Sequence, residues 1–275
     1  SILHIFNSKS VLDGNIIENL PIGLFGNFYN HELTFFLIKK NDLKNIKQIF
    51  NKNNLNIKKI VNKSFVEGTQ LIEKNRDSET FYYIKIKKNS SSISVFDNSA
   101  FKYLESFNFG TDILLQDISK VCSISFETIK NILISNVLKT ENFKDNDLEE
   151  RLFFKKDNYR KIKKKLIKEI TKARIEEISN IILFKNINTR SFQLNDKKIF
   201  VVVEDELFFS NFKDDFNYYF SKDFQYKTTV YKDFETDTLF NKVAHLSVFG
   251  WKKEAIPILQ TKNSLITRIF KSLFE

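Results

Sequence analysis

The chain has no methionine among its 275 residues, and only one cysteine, one tryptophan, two prolines and six glycines. A lone Cys122 excludes an internal disulfide, suits a reducing compartment and reads as a small buried apolar group. Dense turn chemistry occurs only between Val11 and Gly26, where Asp13-Gly14, Pro21, Gly23 and Gly26 fall together. Long apolar runs are also missing: Phe81-Tyr82-Tyr83-Ile84 and Ile199-Phe200-Val201-Val202-Val203 are far too short to span a bilayer. With no secretory signal at the start, the chain reads as one that stays in solution or lies on a membrane without crossing it. No Met and a strand-like Ser1-Ile2-Leu3-His4-Ile5-Phe6 read as an N-terminally incomplete piece, cut inside a fold. There is no internal repeat and no low-complexity linker. No G-x-S-x-G, Walker or Rossmann pattern occurs either. His4, His31 and His245 lack ligand spacing, so they read as ordinary core or surface histidines, and no metal site is expected. Asp112 and Asp117 share a helix but not a face, which gives no paired-carboxylate catalyst. No catalytic residue is assigned.

What is present in excess is positive charge, 44 Lys+Arg against 34 Asp+Glu, for a formal +10. Such a balance attracts nucleic acid or anionic lipid. It is also what an AT-rich coding sequence produces, together with heavy use of Asn, Ile and Phe. Basicity alone does not make a nucleic-acid partner, and none is expected.

Along the chain, residues 1–64 alternate strands with one helix. Leu33 to Ile38 reads as a strand, and Asn41-Asp42 as the cap of a helix with an apolar face of Leu43, Ile46, Ile49 and Phe50. Asn53-Asn54 ends that helix, and Ile57 to Val61 reads as the next strand. A helix over Phe65 to Glu73 precedes a meander: alternating strands at Ile84 to Ile86 and Ile93 to Phe96, a turn at Asp97-Asn98-Ser99, and a return over Phe101 to Phe109. Residues 111–190 read as helical. The helix from about Asn158 to Phe184 sets Ile162, Leu166, Ile170, Ile175, Ile178 and Ile182 on one side and a basic run (Lys161, Lys163, Lys164, Lys165, Lys168) on the other. Residues 198–250 return to a strand at 198–203, a helix near 211–221, a strand at 225–231 and a helix at 238–249. Strands flanking a helical block fit an α/β core with a grafted subdomain.

The last segment, Ser264 to Glu275, follows a tether at 251–262 that contains Pro257. Ser264 is a good N-cap. Leu265, Ile266, Ile269, Phe270, Leu273 and Phe274 form a continuous apolar stripe, flanked by Lys262, Arg268 and Lys271. The stripe fits a terminal helix packed on its own core or a helix lying flat in anionic lipid. The terminal position, the polar tether and the large apolar tips favour lipid. One copy would bind weakly, and many copies on one filament would bind well.

Several segments, in order, resemble FtsA, the actin-like cell-division family. Leu12-Asp13-Gly14 with Leu20-Pro21-Ile22-Gly23 and Gly26 is similar to the opening of that family's inserted subdomain. Ser92 to Phe96, then Phe109-Gly110, Ile113 and Asp117-Ile118, resemble the strand pair leading into its "iT-DIA" helix. Ser125 to Lys130 resembles its "AE-iK" stretch, Ala173 to Ile178 its "R-EEi" helix, and Val201 to Phe212 its adenosine-side strand, turn and helix. The amphipathic tail after a short tether completes the likeness, which covers nearly the whole chain.

The resemblance implies an α/β fold: an actin-like (ribonuclease H-like) core, an inserted α+β subdomain and a C-terminal amphipathic helix. Its expected bounds are 1–64 for the insertion, 65–250 for the core with a helical insertion at about 111–190, 251–262 for the tether and 263–275 for the membrane helix. It implies a scaffold that tethers FtsZ filaments to the inner face of the cell membrane at the division site. The tail residues facing lipid would be Leu265, Ile266, Arg268, Ile269, Phe270, Lys271, Leu273 and Phe274. Lys130, Lys168, Lys172 and Arg174 would receive FtsZ's acidic-apolar C-terminal peptide. Residues 1–64 would serve head-to-tail self-association and contact other division proteins.

By resemblance the cofactor is ATP, at positions Lys85, Lys87, Lys88, Ser90, Glu127, Lys130, Glu204 and Asp205. These depart from the family. Its "DIGGGTTDI" phosphate loop aligns with Lys85 to Ile93, which places Lys85 at the metal-side acid and Lys87, Lys88 and Asn89 at the three glycines. Glycines there let backbone N–H groups approach phosphate, and a Cβ blocks that approach. Glu204-Asp205-Glu206 replaces the adenosine-side glycine turn, and His245 a later glycine. ATP binding is therefore expected to be weak or lost, with no hydrolysis. The competing readings are an ATP-dependent actin-like filament protein that tolerates altered loops, a basic nucleic-acid-binding protein, and an actin-like pilus adaptor.

Overall fold

The computed structural model describes residues 1–18, 20–75, 78–135, 138, 149–155, 157–192, 198–221 and 226–255. The tether beyond Ala255 and the helix expected at 263–275 lie outside the described residues. Among those described, no helix is long and apolar enough to cross a membrane. The chain forms two compact units: residues 1–79, 96–102 and 234 onward, and residues 80–95 with 103–233.

The first unit opens with a three-stranded sheet, order β2-β1-β3, from β1 (Ile2–Leu12), β2 (Asn15–Ile17) and β3 (Tyr29–Leu37). Both neighbours run antiparallel to β1. Asp13 and Gly14, at φ 49° and 82°, make the tight β1–β2 turn, and the Asp13 carboxylate accepts from the Asn27 and Phe28 N–H groups. Helix α1 (Lys40–Asn51) has Lys39 at its N-cap position, two residues before Asn41; Asp42 lies in its first turn, where the helix dipole favours a negative charge. The helix buries none of its residues.

Ile57 to Val61 is not a strand, because the chain there is already turning into α2 (Lys63–Lys74). The Asn62 side chain accepts from Phe65 N, and the Asn62 N–H donates to His4 Nε2. With Nε2 accepting, Nδ1 carries the ring proton and donates to Glu254 Oε1 at 2.9 Å. His4 is thus a satisfied core histidine. The last helix of the unit is α8 (Thr236–Phe249). Residues 251–255 then run beside β1: Asn7 N donates to Lys253 O, Ala255 N to Ile5 O, and the Trp251 indole to Ser99 O. The core of this unit is aromatic, with Phe6, Phe36, Phe65, Phe96 and Phe101 in mutual ring contact.

The second unit is built on a five-stranded sheet, order β6-β5-β4-β7-β8: β4 (Phe81–Ile86), β5 (Ser91–Asp97), β6 (Ala100–Phe107), β7 (Lys198–Val203) and β8 (Lys227–Lys232). Short turns link β4 to β5 and β5 to β6. The latter turn is formed by Asn98 and Ser99, both at positive φ. β7 pairs parallel with β4 and with β8. All six residues of β4 are buried, not alternating as the sequence suggests, because the central strand is covered on both faces. The edge strand β8 carries exposed lysines at both ends.

Between β6 and β7 lie α3 (Asp112–Cys122), α4 (Phe126–Ile134), α5 (Lys164–Ser179) and α6 (Ile187–Arg190); α7 (Glu206–Phe220) connects β7 to β8. The helix expected from Asn158 begins only at Lys164. Asp157 accepts from Ser125 N and from the Thr128 hydroxyl, and Ile162 O accepts from Glu149 N, which holds the preceding stretch extended. The buried stripe of α5 is Ile167, Lys168, Thr171, Ile175 and Ile178, continuing to Ile182 in a wider turn over Asn180–Phe184. Leu166 is exposed, and Lys168, expected on the solvent face, lies on the buried one. Helix α7 starts at Glu206 and not near 211, because Asp205 caps it by accepting from Leu207 N.

Glu149 is buried in this helical block, and neither carboxylate oxygen has a partner among the described residues. Burial pushes its carboxyl up to about 7, against the pull of Lys164. The native state therefore keeps a proton that the unfolded chain releases near its ordinary 4.5. The stabilisation is complete below that value and is lost as pH rises through 7. Glu149→Gln is expected to flatten this fall, read as urea midpoints at about pH 5 and about pH 8. A wild-type midpoint equal at both would contradict the assignment.

Candidate functional site

The carboxyl ends of parallel strands are where open α/β sheets place ligands. In this chain the ends of β4, β7 and β8 bring Lys85, Glu204 and Asp233 together. Lys85 is 2% exposed, and its ammonium lies 2.7 Å from Asp233 Oδ1 and 3.9 Å from Glu204 Oε1. Next to it, Glu204 N donates to Ile86 O, and Lys232 pairs with Glu206 at 2.7 Å.

The turn from Lys87 to Ser90 is fastened to the start of α3. Thr111 N donates to Lys87 O and Asp112 N to Lys88 O, while the Ser91 hydroxyl donates to Phe109 O. Gly110 makes this possible: a Cβ there would come within 2.1 Å of Lys87 O and 2.6 Å of Lys88 O. Asp205 Oδ2 accepts from the Thr111 hydroxyl at 3.4 Å, which ties the α7 cap to the same point. Of the expected nucleotide positions, Lys85, Lys87, Lys88, Ser90, Glu204 and Asp205 thus gather around one turn. Glu127 and Lys130 stand exposed on α4, which packs on α3 and α7. The carbonyls of Lys87 and Lys88 take up the N–H groups that begin α3, and carboxylates take up the buried lysine. Lys85 is buried while Lys88 and Asn89 stand exposed, and a polyphosphate would meet the acidic Glu204-Asp205-Glu206 turn.

A second feature lies between α3 and α5, a cleft of about 360 Å³. It is lined by apolar Val121, Ile170 and Ala173 and by charged Asp117, Lys120, Arg174 and Glu177. Arg174 grips Asp117 with two donors, at 2.5 and 3.1 Å, and also pairs with Glu177. The hydrogen bond to Asp117, against some loss of solvent, holds the guanidinium further into its charged form. Lys172 pairs with Asp215 at 3.4 Å. Of the expected peptide contacts, Arg174 alone lines the cleft. Lys172 is paired toward α7, Lys168 lies in the interior and Lys130 is on α4. Asp117 and Asp233, the carboxylates that organise the two features, were not selected from sequence; the one clue was Asp117 and Arg174 each standing in a segment with a family likeness. Among the described residues no group of His, Cys, Asp and Glu could hold a metal ion.

No protein-family model matches the chain, and no curated protein matches it in sequence. Among solved structures it is similar to MreB5 of Spiroplasma citri bound to ADP, with a TM-score of 0.51 and 11% identity over 76% of this chain and 65% of that one. The same protein bound to AMPPNP gives 0.50 and 12% over 77% and 65%. A looser likeness, 0.42 at 13% identity over 70% and 57%, joins it to the ethanolamine utilization protein EutJ from Carboxydothermus hydrogenoformans. The chain thus spans less than two thirds of the length of these structures. The fold is actin-like, a mixed α/β sheet of the kind expected from sequence.

Proposed function

We propose that this chain is a scaffold of the FtsA kind, which holds FtsZ filaments at the cytoplasmic face of a membrane and does not depend on ATP turnover. The observation that carries the scaffold half is the Lys85 ion pair. In the resemblance Lys85 stands where the metal-side acid belongs, and here its buried ammonium pairs with Asp233 and, at longer range, with Glu204. A fixed ammonium at that position repels Mg²⁺ where the resemblance would place an acid to hold it. The chain on this reading is no enzyme.

The rest of the proposal leans on the tail and the cleft. The apolar stripe from Leu265 to Phe274 with Arg268 and Lys271 suits anionic inner-leaflet lipid. The α3–α5 cleft, with apolar Val121, Ile170 and Ala173 beside the cations of Arg174 and Lys120, offers contacts for an acidic-apolar peptide such as the FtsZ C-terminus. Such a peptide would exchange its own carboxylate for Asp117 on the Arg174 fork. Self-association and contacts with other division proteins fall to residues 1–64.

Two measurements test this. ATP with Mg²⁺ is expected to leave the thermal unfolding midpoint unmoved; a rise growing with nucleotide concentration would favour the ATP-dependent filament reading. Deleting Ser264 to Glu275, or combining Ile269→Glu with Phe270→Glu, is expected to abolish co-sedimentation with anionic vesicles. Undiminished co-sedimentation of those variants rejects the membrane anchor. DNA affinity that falls steeply with salt and ignores the deletion would instead indicate a nucleic-acid-binding protein.

A further inference from the structure

One face of β3 is left open. Leu33, Phe35 and Leu37, which alternate onto it, are 39%, 49% and 72% exposed. They pair across with Asn7, Ile5 and Ile2 of β1. An exposed apolar strip on an edge strand marks an interaction surface or an aggregation hazard. Where the chain travels next indicates the occupant. Residues 253–255 run antiparallel to β1, with Phe6 opposite Glu254, so at Ala255 this segment points toward the end of the sheet where Ile2 pairs with Leu37. Ser264 follows nine residues later, a reach of up to about 30 Å. The dimensions agree. Leu33 to Leu37 extends about 13 Å along a strand, and Leu265 to Leu273 extends about 12 Å along a helix. A tether of that length gives an effective concentration in the millimolar range, above that of a second copy at ordinary protein levels.

We propose that away from lipid the segment Ser264–Glu275 folds back onto the Leu33–Phe35–Leu37 face of its own chain, so that this face and the membrane compete for one apolar stripe. The competition rests on the tail being the lipid-binding element; the docking does not. It makes the anchor conditional: a lone molecule keeps its stripe covered, and a lipid surface must displace β3 to expose it.

The test uses the full chain with Phe35→Cys combined in turn with Ile269→Cys, Phe270→Cys and Leu273→Cys. The native Cys122 is buried, and burial raises its thiol's pKa, which keeps it out of the reaction. Mild oxidation without vesicles is expected to give a disulfide within one chain in at least one pair, and vesicles of phosphatidylglycerol and phosphatidylethanolamine are expected to suppress it. Dimers linked between chains would assign the face to a second copy, and no linkage in any pair would remove the occupant; either overturns the proposal. In parallel, Phe35→Asp and Leu37→Asp, both at exposed positions, should strengthen vesicle binding, about tenfold if the docked form holds nine-tenths of the molecules. Unchanged or weaker binding refutes the competition. A disulfide that forms while neither wild type nor variants bind vesicles would keep the docking and reject the lipid anchor.

Discussion

Lys85→Asp is expected to destabilise the second unit by about 3–5 kcal/mol, because it removes the cation from a buried cluster and adds a third carboxylate. Lys85 has almost no solvent contact, whereas Asp233 and Glu204 keep 27% and 35% of their side-chain exposure. That asymmetry sets the size of the control. Lys85→Met preserves the stem and lets the two acids turn toward water, so it should cost only about 1–3 kcal/mol. Urea unfolding of both variants reads the difference. Equal, small losses would mean that the ion pair is incidental. An Asp variant whose stability is restored by Mg²⁺ and ATP would show that the site still accepts the ligand its neighbours now replace, and would reopen the nucleotide question.

The second large effect belongs to the first unit. Phe101 stacks on Phe36 at 4.2 Å with nearly parallel rings, stacks on Phe96 at 5.0 Å, and meets Phe6 edge-on at 5.8 Å. There is no slack around it: a Cβ on Gly68 would lie 2.0 Å from the Phe96 ring. Phe101→Ala should therefore leave a cavity that cannot collapse, at a cost of about 3–5 kcal/mol. A denaturation midpoint shifted by less than about 1 kcal/mol would show that the rings are loosely held.

Most elements were readable in the sequence, because burial follows local periodicity. The strand at 198–203 and the helices at 63–74 and 236–249 lie close to where apolar spacing puts them. The errors occurred where a side chain was spent on a distant partner. Asp157 serves the start of α4, and Ile162 serves Glu149, so a continuous helical pattern from Asn158 does not form until Lys164. Lys168 fits a basic solvent face by sequence, yet it sits with Ile167 and Thr171 on the buried side of α5. The site was half legible. The residues of the Lys87–Ser90 turn are contiguous and could be found from resemblance. What completes it could not be: Asp233 is 148 positions from Lys85, and Asp117 is 57 from Arg174. Pairings across such separations are fixed by strand order and helix packing, not by any local spacing.

The lysines at either end of β8 bear on what can join that edge of the sheet. Joining a further strand there would force two ammonium groups against an incoming backbone and strip their water, so that margin resists sheet-to-sheet annealing. Strand exchange along the β8 rim is thereby disfavoured.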